Sequence, residues 1–182
     1  MSIYGGKELA NAFRTVRKNT IQVAEDIPES KYSHVAAPDA RTVEQMFSHI
    51  GVATRMWIEM AKAPKSLVGF DFLKFVEPIK AEEAKPRTKA QLLELLRTEG
   101  DRFAAWLETL TPEFLADTIT EADGKTQKSR FERILAAKEH EMHHRAQLML
   151  IERQLGIVPH ITRLFNERIA QMKAAQAEKV TA

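Results

Sequence analysis

The sequence predicts an all-α fold, a four-helix bundle, and three observations carry that expectation. Four long segments repeat apolar residues at spacings of three and four, the pattern of helices that bury one face. Three of the four open on a Ser/Thr-x-x-Gln/Glu capping box, and Pro or Gly stands near the end of each, so their limits can be read as well as their faces. No stretch alternates apolar and polar residues strongly enough for a core strand. At 182 residues the chain reads as one domain over 1–182, long enough to bury a core without a structural metal or a disulfide.

The first helix is expected over 6–27, with Leu9, Phe13, Val16, Thr20, Val23 and Ile27 on one stripe and Pro28 as its stop. The second opens at TVEQ, where Thr42 and Gln45 form the box, and runs to Lys62 ahead of Pro64, turning Met46, Ala53, Trp57 and Met60 inward. The third opens at TKAQ, with Thr88 and Gln91 as the box, and carries Leu92, Leu96, Phe103, Leu107 and Leu110 toward Pro112. The fourth opens at SRFE, with Ser129 and Glu132, and ends before Gly156. A short C-terminal helix over 161–177 should fade into an Ala/Lys/Gln tail that frays.

The connections are uneven. Between the second and third helices lie about 25 residues, where bundle connections usually take roughly 2–8, so this segment can cross the bundle. Its Leu67, Val68, Phe70, Phe72, Leu73, Phe75 and Val76 are too many apolar residues for a solvated linker, which predicts that it packs across one end and can roof a pocket. The Glu/Lys run at 80–89 reads as a solvated loop. The link at 111–128 carries a hairpin signal at Asp123-Gly124.

Composition narrows the chemistry. The chain has no cysteine, which excludes disulfides, cysteine-ligated zinc and a protein thiol nucleophile. A net charge of +2 with interspersed signs gives no footprint for nucleic acid. The N-terminal residues do not form a basic segment followed by an apolar one, and no apolar run is long enough for a bilayer, so a soluble, cytoplasmic protein without a membrane partner is expected.

The chemistry-bearing stretch is HEMHH at 140–144. At 100° per residue, His140 and His144 fall on the stripe of Ala137, Leu148, Ile151 and Leu155, while Lys138, Arg145, Glu152 and Arg153 take the far side and His143 the flank. Two imidazoles on an apolar face need partners. A shared metal supplies them, and so would water, Glu or backbone carbonyls. His49 points inward from the second helix beside Met46, Ala53, Met56 and Met60. Three inward histidines form a neutral donor set that leaves positions open for water or substrate, as in catalytic sites. His34 and His160, in loops, read as surface residues. Glu141 lies about 60° from the stripe centre and is either a carboxylate that orients or accepts protons beside the histidines, or a solvated residue on the helix shoulder.

HEMHH also matches the metalloprotease pattern H-E-x-x-H. The extended form of that pattern needs Gly at 147 and His at 150, where this chain has Gln147 and Leu150. The alternative glutamate ligand on a following helix finds only Glu167, beyond a Gly/Pro break. A protease is therefore disfavoured.

FSHI at 47–50, entered through PDARTVEQM, and DGKTQKSRFERILAAKEHEMHHRAQLMLIERQLGIVPH at 123–160 resemble the DinB/YfiT-like superfamily of metal-dependent bundles. The resemblance rests most on His140, His144, Arg145, Gln147, Leu148, Arg153, Gly156 and Pro159; Ala146 departs from it where many relatives have glycine. It implies an up-down-down-up bundle with a long middle crossover, often a homodimer, with a divalent metal, commonly nickel or zinc, on His49, His140 and His144. Characterised relatives include S-transferases and isomerases that use low-molecular-weight thiols, but the resemblance carries over no substrate. A cation on three histidines can bind and deprotonate water or a thiol, so the expected activity is that of a hydrolase or thiol S-transferase acting on a small molecule. The competing expectation is a non-catalytic dimeric bundle that binds partners, with incidental metal or none.

Overall fold

The structure, a computed structural model, describes residues 4–62 and 65–181; the stop signal expected at Pro64 lies outside them. Its helices are α1 (Gly6–Asp26), α2 (Val43–Ala61), α3 (Phe72–Glu83), α4 (Lys89–Glu108), α5 (Pro112–Ala116), α6 (Arg130–Gln154) and α7 (His160–Thr181). Strands β1 (Thr118–Thr120) and β2 (Gln127–Ser129) form an antiparallel hairpin whose turn carries Gly124 at φ 69°. All three expected capping boxes form, with Thr42, Thr88 and Ser129 each accepting from the backbone N–H three residues on. The architecture is an all-α bundle with a long crossover. It is not a simple four-helix bundle with one short terminal helix, because seven helices pack among the described residues. The crossover folds its own helix, α3, and α7 runs for 22 residues where a short, frayed one was expected.

Side-chain contacts give the helix directions. Tyr4 meets Phe131 and Arg17 meets Glu141, so α1 and α6 run parallel. Glu44 pairs with the backbone of Arg87 and Arg55 with Glu99, so α2 and α4 run parallel. Lys89 reaches the carbonyls of Glu25 and Ile27 while Arg14 reaches Glu108, which sets α4 antiparallel to α1. The four long helices therefore run up, down, down and up, and α1 and α2 each touch both α4 and α6.

The apolar core comes in two blocks. One is built on Val23, Ile27, Phe47, Ile50, Leu92, Leu96, Leu148 and Ile151. The other is built on Leu9, Phe13, Ile58, Phe103, Leu107, Ile134 and Ala137. On every long helix the two blocks leave a gap between them, and the buried residues in those gaps include Arg17, Thr20, Thr54, Glu99, Glu141 and His144. A polar belt crosses the middle of the bundle.

The crossover differs from expectation. Leu67 and Val76 are buried, but Val68, Phe72 and Leu73 are exposed, because α3 is amphipathic and turns one face toward α2. The run at 80–89 is not a solvated loop. Glu83 ends α3 against His49, and Lys89 begins α4. Glu152, expected on the far side of its helix, is fully buried, since α1 and α7 cover a second face of α6. His160 is likewise buried, at the start of α7, with Nε2 at 3.2 Å from Asn19 Oδ1. His34 does lie in a loop but is only partly exposed.

Candidate metal centre

The α2 capping box fixes where that helix starts, and hence the face on which His49 appears seven residues after Thr42. His140 and His144 stand one turn apart on α6 and meet it from the opposite side. His49 Nε2 lies 3.0 Å from His140 Nε2, and the three ring centroids are 4.6, 4.8 and 4.9 Å apart. One nitrogen from each ring lies within 4.8 Å of the others. His143 is exposed and meets the ring of His144 edge-on, their centroids 4.9 Å apart. It stands outside the set.

The outer nitrogens are anchored. His49 Nδ1 is 2.8 Å from Glu83 Oε1, and a carboxylate only accepts, so Nδ1 carries a proton and the lone pair of the neutral ring falls on Nε2. His144 Nδ1 donates to Gln147 Oε1 at 2.9 Å, with the same consequence. Burial, followed by the neighbouring His49, His144, His143 and Arg41, pushes His140 down to about 4. His144 is also lowered, by burial first, against the opposing bond to Gln147. Burial works to raise Glu83, but the hydrogen bond and charge of His49, with Arg41 and His140, outweigh it and hold the carboxyl below its usual range.

This donor set suits a divalent transition cation. Ligation needs neutral imidazoles with free lone pairs, and a carboxylate or amide behind the ligand fixes its tautomer. Nitrogens at 2.0–2.1 Å from a tetrahedral cation would stand about 3.3 Å apart, close to the observed His49–His140 separation. The three-histidine cluster can therefore coordinate a metal ion. Trp57 closes one side, its ring centroid 6.1 Å from that of His140.

Glu141 is not solvated. It is 2% exposed, and its Oε1 and Oε2 accept from Arg17 Nε and a terminal nitrogen, each at 2.9 Å. Arg17 also donates to Leu96 O at 2.6 Å and Ile50 O at 3.4 Å. It thus ties α1 to all three neighbouring long helices, next to His49 and His140. The guanidinium stem passes over Gly100, where a Cβ would sit 2.7 Å from Arg17 Cγ. Sequence reasoning missed Glu83, Gln147 as an anchor, and Arg17. The signal for Glu83 was present: Asp71 caps Lys74 N at 3.0 Å, and Val76, Ile79 and Glu83 follow at helical spacing.

The chain belongs to the DinB superfamily, whose family model matches residues 12–148. Among curated proteins it is similar to the uncharacterized protein YjoA of Bacillus subtilis, 26% identical over 151 residues that cover 82% of this chain and 90% of YjoA. The crystal structure of YjoA, a DinB-like protein, superposes with a TM-score of 0.60 at 24% identity, covering 82% of this chain and 92% of that one. YfiT from Bacillus subtilis, described as a probable metal-dependent hydrolase with an unusual four-helix bundle topology, gives a TM-score of 0.64 at 18% identity over 86% and 91% of the two chains. No described helix is long and apolar enough to cross a membrane.

Proposed function

We propose that the protein is a metal-dependent enzyme of the cytoplasm, a hydrolase or thiol S-transferase acting on a small molecule. His49, His140 and His144 would hold the cation, nickel or zinc. The observation that carries this reading is the convergence of three imidazoles while Glu83 and Gln147 anchor the outer nitrogens of two. A bound divalent cation supplies a Lewis acid that lowers the pKa of water or of a thiol toward neutrality. The chain's own residues do the rest. Glu83 keeps the His49 proton on Nδ1, Gln147 does the same for His144, and Arg17 with Glu141 holds α2 and α6 at the separation the three rings need. The name carried by YfiT supports the hydrolytic branch, and the lack of cysteine is compatible with a thiol brought by the substrate.

The test is metal analysis of protein purified without a histidine tag, followed by assays of the nickel- and zinc-loaded forms on esters, and on electrophiles with and without low-molecular-weight thiols. Stoichiometric metal lost in His140→Ala, with turnover lost in His49→Ala, is the expected result. Metal content indifferent to both substitutions would overturn the reading. A homodimer belongs to the same proposal. Ile161, Leu164, Phe165 and Met172 of α7 are exposed apolar residues that a second copy would cover, and sedimentation at tens of micromolar decides it. A monomer there would remove the dimer alone.

A further inference from the structure

Against Glu83 lies a small cavity of about 230 Å³ lined also by Arg41, Gln45, Lys80 and Ala84. Glu83 belongs to both the cavity and the histidine cluster, since it forms a cavity wall and its Oε1 touches His49 Nδ1. Arg41 is close enough for its charge to act on Glu83, His140 and His144. The cavity thus adjoins the metal centre through Glu83, on the Nδ1 side of His49. It is too small for a whole drug-sized ligand, which needs about 300 Å³ or more, and suits one charged group on a short stem.

Its electrostatics are one-sided. Three carboxylates around the site already have partners: Glu141 is held by Arg17, Glu82 by Arg87 and Lys85, and Glu83 by His49. The side chains of Arg41 and Lys80 form no salt bridge or hydrogen bond among the described residues. Gln45 spends its Oε1 on Thr42 N and keeps its NH2 as a donor. Three neutral imidazoles add no negative charge, so a divalent cation would leave this mouth with a large positive excess over the one lining carboxylate. Such a field draws anions, and the planar guanidinium suits a carboxylate or phosphate.

Resting on the metal-site reading above, we propose that Arg41 and Lys80 bind an oxyanion of the substrate, which makes the site selective for anionic small molecules. The ligand chemistry is that of a carboxylate or phosphate a few bonds from the reacting atom.

Two thiols of similar size test this on cobalt(II)-loaded protein: 3-mercaptopropionate, which carries a carboxylate, and uncharged 2-mercaptoethanol. Binding is read from the change in the cobalt absorption bands. The parent should take the carboxylate thiol about ten-fold more tightly, the least expected for a charge-assisted hydrogen bond. Both substituted residues are exposed, so the Arg41→Ala/Lys80→Ala double variant should keep its cobalt and lose that preference. A cobalt-loaded parent that binds both thiols equally, or a variant that keeps the preference, would overturn the pocket assignment alone. A parent that takes up no cobalt would overturn the three-histidine reading, and this inference with it.

Discussion

The Arg17–Glu141 pair gives the sharpest prediction, because its environment fixes a magnitude. Arg17 is 4% exposed and Glu141 2%, so neither charge can fall back on water if the other is removed. In Glu141→Leu the guanidinium keeps Leu96 O at 2.6 Å and a long contact to Ile50 O at 3.4 Å, but loses two charge-assisted bonds. Leaving one member of a buried pair uncompensated costs about 3–5 kcal/mol. For a chain of 182 residues, the usual unfolding entropy per residue converts this to a fall in Tm of about 10 °C. Urea denaturation and thermal melts of the metal-free protein measure it. The double variant Arg17→Met/Glu141→Leu should lose much less than the two single losses added together, because no charge is left stranded. A Glu141→Leu variant within about 0.5 kcal/mol of the parent, the range of ordinary surface changes, would refute the clamp. If that variant also kept its metal but lost turnover, Glu141 would be acting in the chemistry.

Three further outcomes are expected. Glu83→Ala should weaken metal binding about 10- to 100-fold by freeing the His49 tautomer, whereas His143→Ala should leave metal content unchanged; a chelator competition distinguishes them. Excess chelator should lower the Tm of metal-loaded protein to that of the His144→Ala variant, since a ligand held only by the folded state stabilises it by mass action. Burial, reinforced by Asp26 and opposed by Arg163 and Arg153, raises Glu152 from 4.5 to about 7, so the folded state holds a proton that the unfolded state releases. Stability from this group is therefore full below about 4.5 and declines as pH rises through about 7, by about 3 kcal/mol in all. Glu152→Gln should flatten that slope and be the more stable protein at pH 8, as read by denaturant midpoints across pH.

Local chemistry was legible in the sequence. The boxes at Thr42, Thr88 and Ser129 set the helix starts, and the stripe on the first helix, Leu9 through Ile27, is buried throughout. From those two facts the three histidines follow as inward-facing residues. What stayed hidden depends on which elements become neighbours. Arg17 interrupts an apolar stripe, and only the arrival of Glu141 from α6, 124 positions away, explains its burial. Glu83 became visible only once the crossover folded back onto α2, where Ser48 Oγ donates to its carbonyl at 2.8 Å. Glu152 was misplaced because periodicity reports one stripe, while α6 is covered on more than one side.

The belt of charge across the bundle also sets the register of its helices. An uninterrupted apolar stripe could slide by one turn, about 5.4 Å, and still find oil on both sides. Here a one-turn slip of α6 along α1 would bring Ala137 or Arg145 opposite Arg17 in place of Glu141. One offers no charge and the other repels, so either misalignment strands a buried cation. The same ion pair that keeps the histidine-bearing helices in place thus acts as a keying pin, which lets the bundle assemble at one axial offset and penalises its nearest neighbours.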